Sequence, residues 1–343
     1  MNTNLGCNLR YTGFSPVWGA SGTEGFSGEG YKFHKLLKCC CPGFDFTGMT
    51  FVSKTTTLYS NKGYLPLAID GITPRELFPK CIIVRPFKEI VINGVSYRGV
   101  VLNSVGLSGP GLDFLLDQSI WQEKETPFQI SFMSVRPDVE GRLCETRGFI
   151  KTLLQRMHFQ TRFGVQINLS CPNVGLHRSD DDIVDEARAT IDIADQLGLP
   201  IIIKINLLIS PRTAKVISEI KGCDALCVTN TIPWGSVLDK PYDINWENIF
   251  GSKTSPLEKR GCKPGGLSGR FLKPLVIKWL KEAREIGLKG HINTGGGLSC
   301  ADDVDDFYNA GASSVAVGAT AAMFAPWNVQ SIIQRARKLW KDA

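Results

Sequence analysis

The run Asn168-Leu169-Ser170-Cys171-Pro172-Asn173 sets a thiol between side-chain amides directly after an apolar stretch. A free cysteine is most often a buried structural thiol. Pro172 and the flanking asparagines make a poor core environment, which favours Cys171 as a base. A free thiol has a pKa of about 8.5, so a polarising pocket must help it act near neutrality. Lys204 stands inside the apolar run Ile201–Ile205, where a buried ammonium is costly without an anionic partner. Lys54 alone would read as a solvated lysine; within Ser53-Lys54-Thr55-Thr56 it reads as functional. Asn230-Thr231 follows another apolar run, and Gly295-Gly296-Gly297 and Gly318-Ala319 follow two more. Gly-rich turns that feed helix N-termini offer backbone N–H groups to a phosphate. This mixture of amides, hydroxyls, amines and glycines contains no His, Asp or Glu. It suits an uncharged heteroaromatic cofactor and a polar ring substrate, and neither a metal site nor a Ser-His-Asp triad.

Elements must hold these residues in one place. From Phe163 onward, short apolar runs alternate with amphipathic stretches. The pattern predicts strands at Phe163–Ser170, Ile201–Ile205, Asp224–Thr229, His291–Thr294 and Ser313–Val317. It predicts helices over Asp181–Leu197 with Gly198 as the stop, from Ser210-Pro211 to about Lys221, and over Phe271–Ile286, Ala301–Ala310 and Asn328–Trp340. The first half adds strand candidates at Ser15–Gly19, Met49–Ser53 and Pro127–Met133. Strands separated by helices require parallel pairing with right-handed crossovers. Eight candidates is the closure number of a (β/α)8 TIM barrel, an α/β fold whose chemistry collects at the C-terminal strand ends. Asn93-Gly94 between strand-like runs predicts a β-hairpin within an insertion at about residues 64–103, after the second barrel strand. Residues 231–269 show little patterning and are expected to form long active-site loops. The whole chain, 1–343, is expected to be one domain.

Composition narrows the classes. Apolar residues make up 43% and charged residues 21% of the chain, which excludes disorder. The net charge of +6 is scattered, and no nucleic-acid-binding motif is visible, so no nucleic-acid partner is expected. The eleven cysteines are irregularly spaced. Cys39-Cys40-Cys41 cannot make a regular disulfide framework, and Cys223 and Cys227 lack a second pair at zinc spacing. Free thiols in a reducing cytoplasm are expected, with no metal. No segment reads as a signal peptide or a membrane span, so a soluble cytoplasmic protein is expected. Trp279, Trp327 and Trp340 read as core or interface.

The motif at 168–173 resembles the signature of class 1 dihydroorotate dehydrogenases, in which the cysteine is the base. Ala20-Ser21-Gly22-Thr23, followed by Gly25-Phe26, is similar to the opening of class 1B catalytic subunits. Lys54-Thr55 resembles the family's flavin-contacting pair, and Asn103-Ser104-Val105-Gly106-Leu107 its substrate loop. Gly265-Gly266-Leu267-Ser268-Gly269 with Lys273-Pro274 is a long match, and Lys204, Asn230-Thr231, Gly296-Gly297 and Gly318-Ala319 agree in type and order. The resemblance implies FMN-dependent oxidation of dihydroorotate to orotate in pyrimidine biosynthesis. A proton would leave C5 for Cys171 and a hydride would leave C6 for flavin N5, with Lys54 and Lys204 neutralising charge. It implies substrate contacts from Lys54, Asn103, Ser104, Val105, Gly106, Leu107, Asn168, Asn173, Asn230 and Thr231. It implies FMN contacts from Ser21, Lys54, Thr55, Asn168, Lys204, Gly269, Gly296, Gly297, Gly318 and Ala319. A homodimer and an iron–sulfur flavoprotein partner for electron transfer are implied as well.

The chain also departs from the family pattern. Where the family usually has Gly-Asn-Pro-x-Pro-Arg, this sequence has Gly63-Tyr64-Leu65-Pro66-Leu67-Ala68, without the Asn and the Arg. Ala319 stands where Thr is common. Two other readings therefore stay open. One is a sibling FMN barrel acting on another dihydropyrimidine, which usually carries His where this chain has Asn173. The other is a flavin-free barrel that binds a phosphorylated metabolite and has no redox activity.

Overall fold

A computed structural model describes residues 8–10, 12–156, 158–169, 179–240 and 242–341. Seven parallel strands run side by side in the order Val17–Gly19, Ser314–Val317, His291–Thr294, Ala225–Val228, Ile201–Ile205, Phe163–Asn168, Phe128–Phe132. The two outermost strands are joined through the segment 50–56, which makes parallel bridges from Thr50 to Trp18 and from Val52 and Thr56 to Gln129 and Phe132. The sheet thereby closes into an eight-stranded barrel. The second strand is a row of bridges rather than a ladder because a side chain takes over part of its pairing. Ser53 Oγ accepts the N–H of Ser131 at 2.9 Å. Every residue of Ile201–Ile205 is buried, as a strand covered inside and outside must be.

The crossover helices follow the sequence closely. Asp180–Ala194 continues as a 3-10 turn to Leu197 and stops at Gly198, whose φ of 62° suits glycine. Ser210 Oγ accepts the N–H of Thr213 and Pro211 occupies the first turn of Pro211–Ser218, which ends sooner than the sequence suggests. Leu272–Glu285, Ala301–Asn309 and Val329–Lys341 lie within one residue of the bounds expected for them. Helices Lys32–Cys40, Leu112–Asp117 and Val139–Gln155 were not expected from periodicity. Trp279 and Trp340 are buried, whereas Trp327 is 60% exposed and belongs to no core.

Strands Ile82–Ile92 and Val95–Asn103 form the hairpin, turning at Asn93 and Gly94 with φ of 50° and 77°. The region 231–269 is more than loops. Gly266–Gly269 pairs antiparallel with Val100–Asn103, Ile232–Pro233 pairs with Gly266 and Leu267, and Trp246–Phe250 is a short helix. Hairpin and region together make a four-stranded antiparallel sheet with its own core, including Ile83, Ile92, Leu102, Ile232, Leu267 and Phe271. Among the described residues no helix is long and apolar enough to cross a membrane.

Candidate active site

A cavity of about 770 Å³ opens at the C-terminal strand ends, within the range of roughly 300–1,000 Å³ usual for small-molecule sites. Ser21, Lys54, Thr55, Asn103, Val105, Leu107, Asn168, Lys204, Asn230, Thr231, Gly296, Gly297, Gly318 and Ala319 line it together. Ser104, Gly106 and Gly269 stand outside that wall. Gly269 faces the hairpin, where an added Cβ would come within 2.5 Å of Gly99 O, and Ser268 reaches the cavity instead. Cys171 and Asn173 lie outside the described residues.

Hydrogen bonds across strand ends set the polar wall. Ser21 Oγ donates to Ser53 O at 3.0 Å and meets Thr55 Oγ1 at 2.7 Å, and Thr55 Oγ1 meets Ser131 Oγ at 2.9 Å. This chain of hydroxyls fastens the first three barrel strands to one another. Parallel register places Asn168 beside Lys204. Asn230 Oδ1 accepts the N–H of Thr231 at 3.0 Å, which turns its amide nitrogen toward Asn168 Oδ1, also 3.0 Å away. Lys204 is 8% exposed and has no carboxylate partner among the described residues. Its charge lowers the pKa of Cys227, but burial outweighs it and pushes that thiol up to about 11.

Lys54 is buried to the same degree. Its ammonium donates to Ser108 O and lies 4.4 Å from the centroid of the Phe26 ring. Burial pushes its pKa down to about 7, against the opposing pull of Glu29 and Cys81. In the ligand-free protein, the unfolded chain then holds more protons than the folded one between about 7 and the free-lysine value of 10.5, and stability rises with pH across that window. The stability difference between Lys54→Met and wild type is therefore expected to favour the variant most below about 7. It should move toward wild type as pH rises through the window, as chemical denaturation below, within and above it will show. A difference independent of pH would mean that the folded protein does not disfavour the charge.

The glycine turns form a cradle. Gly297, with φ of 86°, lies so close to the start of Leu272–Glu285 that a Cβ would come within 2.7 Å of Arg270 O and Lys273 N. A Cβ on Gly296 would come within 2.9 Å of the Thr229 methyl. The N–H groups of both glycines donate to no acceptor among the described residues, although both residues line the cavity. Unpaired backbone donors facing a cavity fit an anionic group such as a phosphate. The hydroxyl, amide and amine donors opposite fit a polar ring system, and no described group of three or more His, Cys, Asp or Glu could hold a metal. The residues present therefore fit a phosphate-bearing ring cofactor.

Sequence reasoning missed the wall supplied by helix Lys32–Cys40. Tyr31, Phe33, His34 and Leu36 line the cavity with Leu77, Phe78, Ile82, Val84 and Met323, a mostly apolar and aromatic share of its wall. Tyr31 donates its hydroxyl to Gly22 O at 2.5 Å, which ties the helix to the first strand end. His34 packs against Tyr31, Phe33, Phe44 and Phe46, and burial lowers its pKa to about 4. The aromatic cluster Tyr31-x-Phe33-His34 was the available signal.

Comparison with known proteins agrees with this geometry. The family model for dihydroorotate dehydrogenase matches residues 93–339. Dihydroorotate dehydrogenase A (fumarate) from Lactobacillus delbrueckii subsp. bulgaricus is 31% identical over 234 residues, covering 64% of this chain and 66% of that protein. The catalytic subunit of dihydroorotate dehydrogenase B (NAD(+)) from Listeria monocytogenes serotype 4b is 29% identical over 228 residues, with the same coverage. The match spans just under two thirds of these relatives' length. A solved ligand-free DHODH from Eimeria tenella superimposes with a TM-score of 0.62 at 18% identity, covering 99% of this chain and 86% of that one. A second, of the same protein in complex with ferulenol, gives 0.61 at 16% identity, covering 98% and 83%. These two structures show a shared fold.

Proposed function

This chain belongs to the dihydroorotate dehydrogenase family, and from that premise we propose that it oxidises dihydroorotate to orotate with FMN, as a step of pyrimidine biosynthesis. The observation that carries the reading is one cavity that joins the Gly296-Gly297 cradle to Lys54, Asn103, Asn168, Lys204 and Asn230. FMN, when bound, would supply the acceptor for the hydride that leaves C6 of the substrate. Gly296, Gly297, Gly318 and Ala319 hold its phosphate through backbone N–H groups. Ser21, Thr55, Asn168 and Lys204 hold the ring, the lysine countering negative charge on it. Asn103, Asn168 and Asn230 orient the substrate's amide edges, with Thr231 as a further donor and Asn173 as a further amide. Lys54 offers a charge to the substrate carboxylate. Cys171 takes the proton from C5. Val105 and Leu107 close the site and exclude water.

The test is the purified wild-type protein. It is expected to carry FMN with visible flavin absorption, to show a spectral change on titration with orotate, and to bleach with dihydroorotate but not with dihydrouracil. A colourless protein that takes up no FMN would sink the reading and favour a flavin-free barrel. Bleaching by dihydrouracil alone would move the activity to the sibling dehydrogenases. The two relatives above are named for fumarate and NAD(+), and reoxidation by fumarate separates these acceptors, since the NAD-linked reading calls for an iron–sulfur flavoprotein partner. A homodimer in the cytoplasm belongs to the same proposal.

A further inference from the structure

We propose that Asn61 is the positioning residue that holds the loop Asn103–Leu107 in its ligand-facing shape, a role that rests on the reading of this loop as the substrate's wall. Asn61 lies two residues before the segment 63–68, where the family's usual motif is absent, and it is not among the residues the resemblance carries. Its backbone exchanges two hydrogen bonds of 2.9 Å with Gly109. Its side-chain amide donates to Gly106 O at 2.8 Å and to Leu107 O at 3.1 Å. Both acceptors belong to residues in the left-handed region, Gly106 at φ 66° and Leu107 at φ 58°. Glycine takes that conformation freely, whereas leucine is strained in it and must be held there.

The amide suits the task because one NH2 group offers two N–H donors to two carbonyls. The neighbourhood reinforces it. Tyr64 N donates to Val105 O at 2.9 Å, and Ser108 Oγ accepts from Leu65 N at 2.9 Å while donating to Val105 O at 3.0 Å. The Tyr64 ring lies against Gly106, where an added Cβ would meet it at 2.9 Å. The carbonyl side of the loop is thus fastened to 61–65, and the opposite side turns Asn103, Val105 and Leu107 into the cavity. Asn61 itself does not line the cavity. It acts through the loop.

Asn61→Asp keeps the shape and replaces the donor with a carboxylate facing two carbonyls. The orotate dissociation constant and the KM for dihydroorotate are expected to rise about tenfold or more, with kcat within about threefold of wild type. FMN content should stay at the wild-type value, and Tm should fall by no more than a few degrees. Amide hydrogen exchange in residues 103–109 should accelerate, a readout that needs no ligand. Protonating the introduced carboxyl restores a donor, so the affinity defect should shrink as pH falls toward about 4. Asn61→Ala should show the same exchange without the pH rescue. Unchanged orotate affinity and exchange in both variants would overturn the proposal, and so would loss of FMN in parallel with loss of orotate. If wild type itself ignores orotate, the functional reading fails, while the exchange comparison still decides whether Asn61 holds the loop.

Discussion

Replacing Cys171 with alanine is expected to slow reduction of bound FMN by dihydroorotate by about 10²- to 10⁴-fold while the protein keeps its cofactor. The reasoning runs through the other groups that could take the proton. His34 is neutral, but its Nδ1 accepts the N–H of Tyr31, and a pKa of about 4 makes it a weak base. Burial raises the pKa of Tyr31, whose hydroxyl is committed to Gly22 O. Glu76 lines the cavity beside Leu77 and Phe78, with its carboxylate 3.7 Å from the Arg75 guanidinium. None of the described cysteines lines the cavity, and burial pushes Cys81 and Cys227 up to about 11, so both stay protonated near neutrality. Lys54 is the rival. In the ligand-free protein its pKa of about 7 leaves it partly uncharged at neutral pH, able to accept a proton unless the substrate carboxylate restores its charge. Stopped-flow reduction separates the two. A thiol base predicts collapse in Cys171→Ala with flavin retained, whereas unchanged rate constants in that variant remove Cys171 from the mechanism and leave Lys54 to answer for it.

The barrel was legible because its information is local. Ile201–Ile205 and His291–Thr294 have the bounds read from the sequence, the first as an isoleucine run broken only by Lys204 and the second as a short stretch set between Gly290 and Gly295. The helix Val139–Gln155 was invisible for the opposite reason. Its buried face begins with Arg142, Leu143, Glu145 and Thr146 before Phe149, Ile150 and Leu153, so polar side chains interrupt the apolar period over the first turns. The strands of 231–269 span two and four residues, too short for alternation to show, and only the longer one pairs with the hairpin, far away in sequence. The candidate site divides the same way. Lys54, Asn168, Lys204 and Asn230 could be found at strand ends, because barrel topology sends strand ends to one place. Tyr31, His34 and Asn61 could not, since each depends on how a loop or helix docks over the barrel mouth. That docking is set by contacts such as Tyr31 to Gly22 and Asn61 to Gly106, which leave no period in the sequence.

The largest effect on stability is expected at Arg142, whose replacement by methionine should cost about 3–5 kcal/mol. Arg142 and Glu186 are 6% and 4% exposed. They form a two-pronged pair, Nε to Oε1 and Nη2 to Oε2, both at 2.7 Å. The remaining guanidinium donor reaches Pro137 O at 2.7 Å, and the Glu186 hydrogen bond holds the arginine charged. Removing the guanidinium breaks both of these short, charge-assisted hydrogen bonds to a buried carboxylate, and that penalty dominates the packing change. A double variant, Arg142→Met with Glu186→Met, removes both charges and should be less destabilised than either single one. The pair also lies behind the site: Arg142 and Glu186 share a small void with Phe132, Ile167, Asn168 and Leu169. Loosening it should move Asn168 relative to Lys204 and Asn230, so orotate affinity should fall in Arg142→Met and partly return in the double variant. Denaturant titration of the flavin-loaded proteins checks the first part, and spectral titration with orotate checks the second. Single-variant costs below about 1 kcal/mol, or a double variant at the sum of the singles, would show that the pair is neither buried nor coupled as the hydrogen bonds indicate.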